Sequence, residues 1–229
     1  MARPAAKRLG LGLALGLGLA LGLGPGLGLG PGLSWPSAAR AVAAAPAPPA
    51  LPAPPPTRTL PARPPCPDPT ITVRKAARTL DLACRGRPRA RFGVSLGRFP
   101  KGTKLREGDG RTPEGSYSVC TRNATSAFYL FLGLSYPGPA DAERGLRERV
   151  LTPAQARAIR EAHAARQAPP WNTPLGGAIG IHGAKNGWGF IGRLHRLFDW
   201  TNGCIAVADR EIEELWTLAP LGTPVNVRP

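Results

Sequence analysis

Acidic residues are scarce in this 229-residue chain, with 14 Asp and Glu against 30 Lys and Arg, and there are only three histidines, four cysteines and one methionine. A structural or catalytic metal usually announces itself as closely spaced Cys, His or acidic ligands. No CxxC or HxxxH spacing occurs, and acids are sparse around His182, His195 and Cys204, which disfavours a metal site. No internal repeat and no DNA- or RNA-binding motif is present, so the net charge of +16 does not by itself indicate a nucleic-acid partner. Arg outnumbers Lys 25 to 5 amid abundant Ala, Gly and Pro. That bias fits a GC-rich coding sequence as well as attraction to an anionic cell envelope.

What the chain has in excess lies at its start. Met1–Arg8 is short and basic, a Leu/Gly/Ala run extends from Leu9 to Leu33, and Ala38–Ala45 is rich in small residues. Basic, apolar and Ala-x-Ala segments in that order describe a secretory signal peptide over residues 1–43, with cleavage at Ala41-Val42-Ala43. An uncleaved membrane anchor is the alternative. Ten glycines before Ala44 weigh against it, since each costs about 1 kcal/mol relative to Ala in a helix. The expected location is therefore outside the cytoplasm, in the periplasm or cell envelope of a bacterium. Four of the basic residues fall in residues 1–43, leaving a net +12 beyond them.

Residues 44–69 contain 12 prolines and form a spacer with little that could fill a core. The remaining residues, 70–229, suit one domain. Export permits disulfides. Thr70–Arg74 and Arg78–Cys84 read as a hairpin with Val73 opposite Thr79, which brings Cys66 nearly across from Cys84 and predicts a bridge between them. Cys120 reads as a small buried hydrophobe in a strand.

Alternating apolar positions (Phe92/Val94/Leu96, Tyr117/Val119, Phe128/Leu130/Leu132) mark further strands. Thr152-Pro153-Ala154-Gln155 is a capping box that opens a helix running to about Gln167, and Asp209 is placed to cap a last helix bearing Ile212, Leu215, Trp216 and Ala219. Val225–Val227 would close the sheet. The expected fold class is mainly β, a sandwich or barrel-like domain with a few helices.

Few side chains could do chemistry. His163 falls inside a helix, and His195 falls in a basic loop where a solvated role or an outer substrate contact fits best. His182 ends the apolar strand Ile179-Gly180-Ile181 and is followed by Gly183. Cys204 follows Gly203 and opens another apolar strand. If those strands pair, imidazole and thiol meet, and a neighbouring His activates a thiol that is otherwise only a few per cent ionised at neutrality. Spacing alone leaves a structural Cys and an isolated His equally open.

Ile181-His182-Gly183, followed after a loop by Thr201-Asn202-Gly203-Cys204-Ile205, resembles the signature of the L,D-transpeptidase (YkuD-type) catalytic domain, a His-Gly and then [Ser/Thr]-His-Gly-Cys. Val94-Ser95-Leu96-Gly97, Gly108–Tyr117, Leu132–Pro137 and Thr173–Gly177 extend the resemblance over nearly all of Thr70–Val227. The resemblance implies a β-rich fold, acyl transfer on peptidoglycan stem peptides as part of cell-wall biogenesis, and no cofactor. It implies Cys204 as nucleophile, His182 as base and then acid, and the Gly183 carbonyl as the group orienting His182. It also implies backbone N–H groups of Cys204 and Gly203 as the oxyanion hole, with Thr201 at the [Ser/Thr] position. Two departures stand out. Asn202 occupies the place of a His and cannot carry a proton for transfer, and Ala206 occupies the place of a common Arg. Trp188 and Trp200, in the intervening loop, are candidates for substrate contact. A hydrolase of the same fold and a non-catalytic wall-binding module are the competing readings. Papain-like peptidases are disfavoured because there the Cys precedes the His.

Overall fold

Apolar side chains two apart on both arms of the first hairpin dictate its burial. Ile71 and Val73 on β1 (Pro69–Arg74) and Leu80 and Leu82 on β2 (Thr79–Cys84) are all fully buried, on one face. The computed structural model describes residues 65–229. The expected leader and most of the Pro-rich spacer lie outside these residues.

The hairpin register differs by one from the expectation. Val73 pairs with Leu80, not Thr79, because Arg78 takes a left-handed φ of 52° and belongs to the turn. Cys66 and Cys84 are joined by a disulfide with Cα atoms 5.1 Å apart. It ties the chain just before β1 to the end of β2. A two-residue turn, Arg85-Gly86, with positive φ at both positions leads into β3 (Arg87–Gly93).

The sheet continues through β4 (Gly115–Ser126), β5 (Tyr129–Leu134), β6 (Gly180–His182), β7 (Ile205–Ala206) and β8 (Pro224–Arg228). Its eight strands run in the order β3-β2-β1-β8-β4-β5-β6-β7, with parallel pairs at β1/β8 and β6/β7 and antiparallel pairs elsewhere. This is the mainly β, barrel-like architecture expected, with one correction. β8 does not close the sheet at an edge; it lies in the middle, between β1 and β4. The sheet curls, because the chain leaving β3 reaches the opposite edge. Ser95 bridges Ala206 and Gly97 bridges Thr201.

Among the described residues, three α-helices accompany the sheet. α2 (Pro153–Ala164) has the capping box read from the sequence: the Gln155 amide donates to Thr152 Oγ1 (3.2 Å), and the Thr152 amide donates to Gln155 Oε1 (3.0 Å). It stops three residues before Gln167, because Arg166 turns left-handed and the amides of Arg166 and Gln167 fold back onto His163 O and Ala162 O. α3 (Asp209–Leu218) buries Ile212 and Leu215 as expected, with Ala219 buried just beyond its end, but Asp209 does not cap it. Ala208 is the cap residue, its amide donating to Glu211 Oε2 (3.0 Å), and Asp209 Oδ1 instead accepts from the Ala184 amide (2.7 Å). α1 (Pro139–Arg147) was not anticipated from the sequence. Cys120 is only half-buried rather than enclosed.

Candidate active site

The two ends of the sheet meet around the residues that could do chemistry. His182 closes β6 and is 2% exposed. β6 and β7 are parallel neighbours, with Ile181 opposite Ile205 and His182 opposite Ala206. Cys204 directly precedes β7 (Ile205–Ala206), two residues before the partner of His182.

The His182 ring is held on several sides. Its Nδ1 lies 2.7 Å from the Gly183 carbonyl oxygen, which can only accept, so Nδ1 carries the proton and Nε2 is left as the basic nitrogen of the neutral ring. Phe128, in the β4–β5 turn, packs with ring centroids 4.6 Å apart, Phe131 lies parallel at 6.4 Å, and Trp200 approaches edge-on at 5.7 Å. Phe131 stands directly opposite His182 in the β5/β6 register. This aromatic wall pushes the His182 pKa down to about 4, chiefly by desolvation, against the carbonyl hydrogen bond that favours the charged ring.

The Cys204 thiol is partly accessible and donates to the Ala178 carbonyl (3.5 Å). It makes no hydrogen bond to His182, so β6 and β7 pair as their motifs suggest while the thiol proton points elsewhere. Burial raises the thiol pKa to about 11, only partly offset by hydrogen bonding at Gly180 and by the charge of Lys104. Both groups are therefore neutral near pH 7 in the free protein. Iodoacetamide should accordingly alkylate Cys204 about tenfold faster per pH unit from pH 7 to pH 10, because only the thiolate reacts. Peptide mapping of the labelled protein would check this, and a rate already level by pH 8 would reveal a preformed ion pair instead.

The turn that presents Cys204 is built by local bonds. Thr201 is buried, its hydroxyl donating to Cys204 O (2.7 Å) and accepting from the Gly203 amide (3.1 Å). Gly203 adopts φ of 128°, and a Cβ there would sit 2.6 Å from the Arg111 carbonyl oxygen, so no larger residue fits. In this arrangement the Gly203 N–H, expected in the oxyanion hole, is bound to Thr201 Oγ1. Asn202 is exposed and accepts a hydrogen bond from Arg98 Nη2 (2.7 Å).

Behind the turn, the segment leaving β3 is laced to it. Thr201 N donates to Leu96 O, Arg98 N to Thr201 O, and Ser95 and Ala206 exchange both backbone bonds, all at 2.9–3.1 Å. Asp199 fixes the loop's return: its carboxylate accepts from Arg78 Nε and Nη2 and from the Leu96 amide (2.9 Å).

Of the two loop tryptophans, Trp200 packs edge-on against the His182 ring. Trp188 is half exposed, with Lys185 Nζ 5.8 Å from its ring centre. His195 departs furthest from its expected solvated role. It is 1% exposed, with Nδ1 3.0 Å from Ser95 Oγ, in a 3-10 segment (Gly189–Leu197) kinked at Gly192. Burial lowers its pKa, and the charge of Arg196 adds to that. Sequence spacing does not point to Phe128, Ser95 or Arg98, whose contacts with His182, His195 and Asn202 join residues far apart in the chain. Among the described residues, no cluster of His, Cys, Asp and Glu is arranged to hold a metal ion.

The profile of the YkuD L,D-transpeptidase catalytic domain matches residues 68–227, and the chain belongs to that family. Similar solved structures include the helical cell shape determining protein Pgp2 from Campylobacter jejuni, at 20% identity and TM-score 0.47, covering 69% of this chain and 46% of that one. An L,D-transpeptidase (residues 123–326) from Xylanimonas cellulosilytica is 15% identical with TM-score 0.40, covering 70% and 60%. One from Mycobacterium smegmatis is 10% identical with TM-score 0.41, covering 71% and 59%. The chain thus spans about half to three-fifths of the length of these proteins. No curated protein matches it.

Proposed function

We propose that this domain is a peptidoglycan acyltransferase that uses Cys204 as nucleophile and His182 as base, exported to act in the cell envelope. The observation that carries the reading is the pairing of β6 with β7, which brings the end of β6 at His182 beside the segment that Cys204 leads into, with His182 Nε2 bare because Nδ1 is bound to Gly183 O. Family membership supports stem peptides as the substrate class.

The chemistry follows from two neutral partners. The thiol leaves the Ala178 carbonyl and gives its proton to His182 Nε2 as sulfur attacks the peptide carbonyl carbon. The oxyanion that forms is stabilised by the Cys204 backbone N–H. His182 then donates its proton to the departing amine, the C–N bond breaks and a thioester remains. An incoming amine, losing its proton to His182, attacks the thioester and restores the free thiol; water in that role would make the enzyme a hydrolase. Trp200 and Phe128 keep the imidazole desolvated, so a charge formed during attack is poorly screened and the intermediate is short-lived. Asn202, having no titratable group, moves no proton.

Incubating the protein with a synthetic tetrapeptide stem and quenching in acid should give an adduct on the Cys204 peptide, seen by mass spectrometry, that adds the mass of the tetrapeptide less the free amino acid released. Transfer to an added amine then separates transferase from hydrolase. Binding to purified peptidoglycan without any adduct would favour a wall-binding module instead.

A further inference from the structure

We propose that the cleft beside the β2–β3 turn, lined by Arg85, Arg87 and Arg89, is a binding site for a phosphate-bearing polymer. It is separate from the catalytic centre. The cleft stands at the start of β3, whereas the residues that clasp the Cys204 turn leave the far end of that strand.

The cleft is open, with a volume of about 630 Å³, and its walls are Pro67, Cys84, Arg85, Arg87, Pro88 and Arg89. No wall residue carries a negative charge. Among the described residues, Arg87 and Arg89 join no ion pair, and Arg85 has only Asp68, 3.9 Å away with both side chains mostly in solvent. Such a contact is worth little. No Asp or Glu precedes Asp68 in the sequence, so the N-terminal residues hold no acidic side chain that could neutralise the three arginines. Next in the sheet, Asp81 is shared between Arg74 and Arg91, which leaves that group positive as well.

Like charges gathered without a counter-charge repel, so the backbone must hold them together. The Arg85 amide donates to Pro67 O (3.0 Å), and the Cys66–Cys84 disulfide crosses at the same place, which fixes both walls. Arg85 has φ of 49° and Gly86 of 71°, in a two-residue turn whose first position suits Asn or Gly. A long side chain is disfavoured at that φ, and what it supplies there is a third guanidinium on the cleft.

Guanidinium forks match phosphate oxygens with paired bonds, and a phosphate presents three acceptor oxygens where a carboxylate presents two. A bilayer surface would call for apolar side chains around the cations, and none of the large exposed hydrophobic residues belongs to the cleft. A nucleic acid would be met by aromatic rings for its bases, and the cleft wall has none.

The full chain can be titrated by calorimetry, in about 0.15 M salt, with sodium tripolyphosphate and with a short polyglutamate of equal charge, and mixed with phosphatidylglycerol vesicles. Tripolyphosphate should bind about tenfold or more tighter than polyglutamate. Arg87→Gln and Arg89→Gln should each weaken it about tenfold, the loss of one charged hydrogen-bonding group. Arg147→Gln, Arg157→Gln and Arg160→Gln combined, on exposed residues of α1 and α2, remove more charge and should change it by less than about threefold. Arg85→Asn should weaken binding while raising the melting temperature, since Asn accepts the positive φ, and this separates loss of ligand from loss of fold. No binding of tripolyphosphate, equal affinity for polyglutamate, or equal weakening by the α1–α2 variant overturns the assignment. Vesicle binding that needs Arg87 and Arg89 without tripolyphosphate binding overturns it in favour of a membrane surface.

Discussion

Replacing His182 with Gln is expected to lower acyl transfer by about 10³-fold, the range that a single general base contributes. Cys204→Ala should remove it altogether. Both follow from the neutral resting state. With the thiol pushed up to about 11 and the imidazole held down to about 4, the nucleophile depends on proton removal during attack rather than on a thiolate already present. Gln can still donate to the Gly183 carbonyl and fill much of the space beside Phe128 and Trp200, so β6 should keep its register and the loss should fall on kcat. Combining the two substitutions should cost no more than Cys204→Ala alone, because the pair acts as a unit. Initial rates with a tetrapeptide donor and an amine acceptor would measure this. An activity within tenfold of the parent for His182→Gln would mean that another group takes the proton.

The second large effect is on stability. His182 has a folded pKa of about 4, below the value of about 6.5 for a free imidazole. Between those values the unfolded chain binds a proton that the folded one refuses, so stability rises with pH across this window and is lost as the pH falls. The contribution of His182 alone is a loss of about 2 kcal/mol between pH 7 and pH 5. His195, also lowered by burial, acts in the same direction. Urea unfolding at the two pH values should show the drop, and His182→Gln should shrink it markedly. Carboxylates titrate mostly below this window, so an unchanged pH dependence in the variant would show that His182 is not the source.

The elements legible in the sequence were those whose cause is local. Thr152 and Gln155 cap each other across one turn, and Ile71/Val73 and Leu80/Leu82 bury a face by simple alternation. What escaped depended on distant partners. A left-handed Arg78 moved the hairpin register by one residue, a bond from Ala184 drew Asp209 away from its capping role, and the parallel pairing of β8 with β1 placed the last strand in the middle. The site divides in the same way. The Cys204 and His182 motifs are contiguous and could be read. The burial of His195 needs Ser95, 100 residues earlier, and the desolvation of His182 needs a turn residue, Phe128. Neither relation leaves a pattern in neighbouring residues.

The bridges from Ser95 to Ala206 and from Gly97 to Thr201 act as a clasp between the first and last parts of the domain. Contacts so distant in sequence form slowly, since a long loop must close before they contribute. The clasp seats the locally bonded turn that carries Cys204 against the segment leaving β3. Until residues 201–206 have found the segment leaving β3, Cys204 is an ordinary thiol. The thiol of an unfolded copy is therefore ionised more readily at neutral pH than that of the folded protein, whose pKa burial raises to about 11.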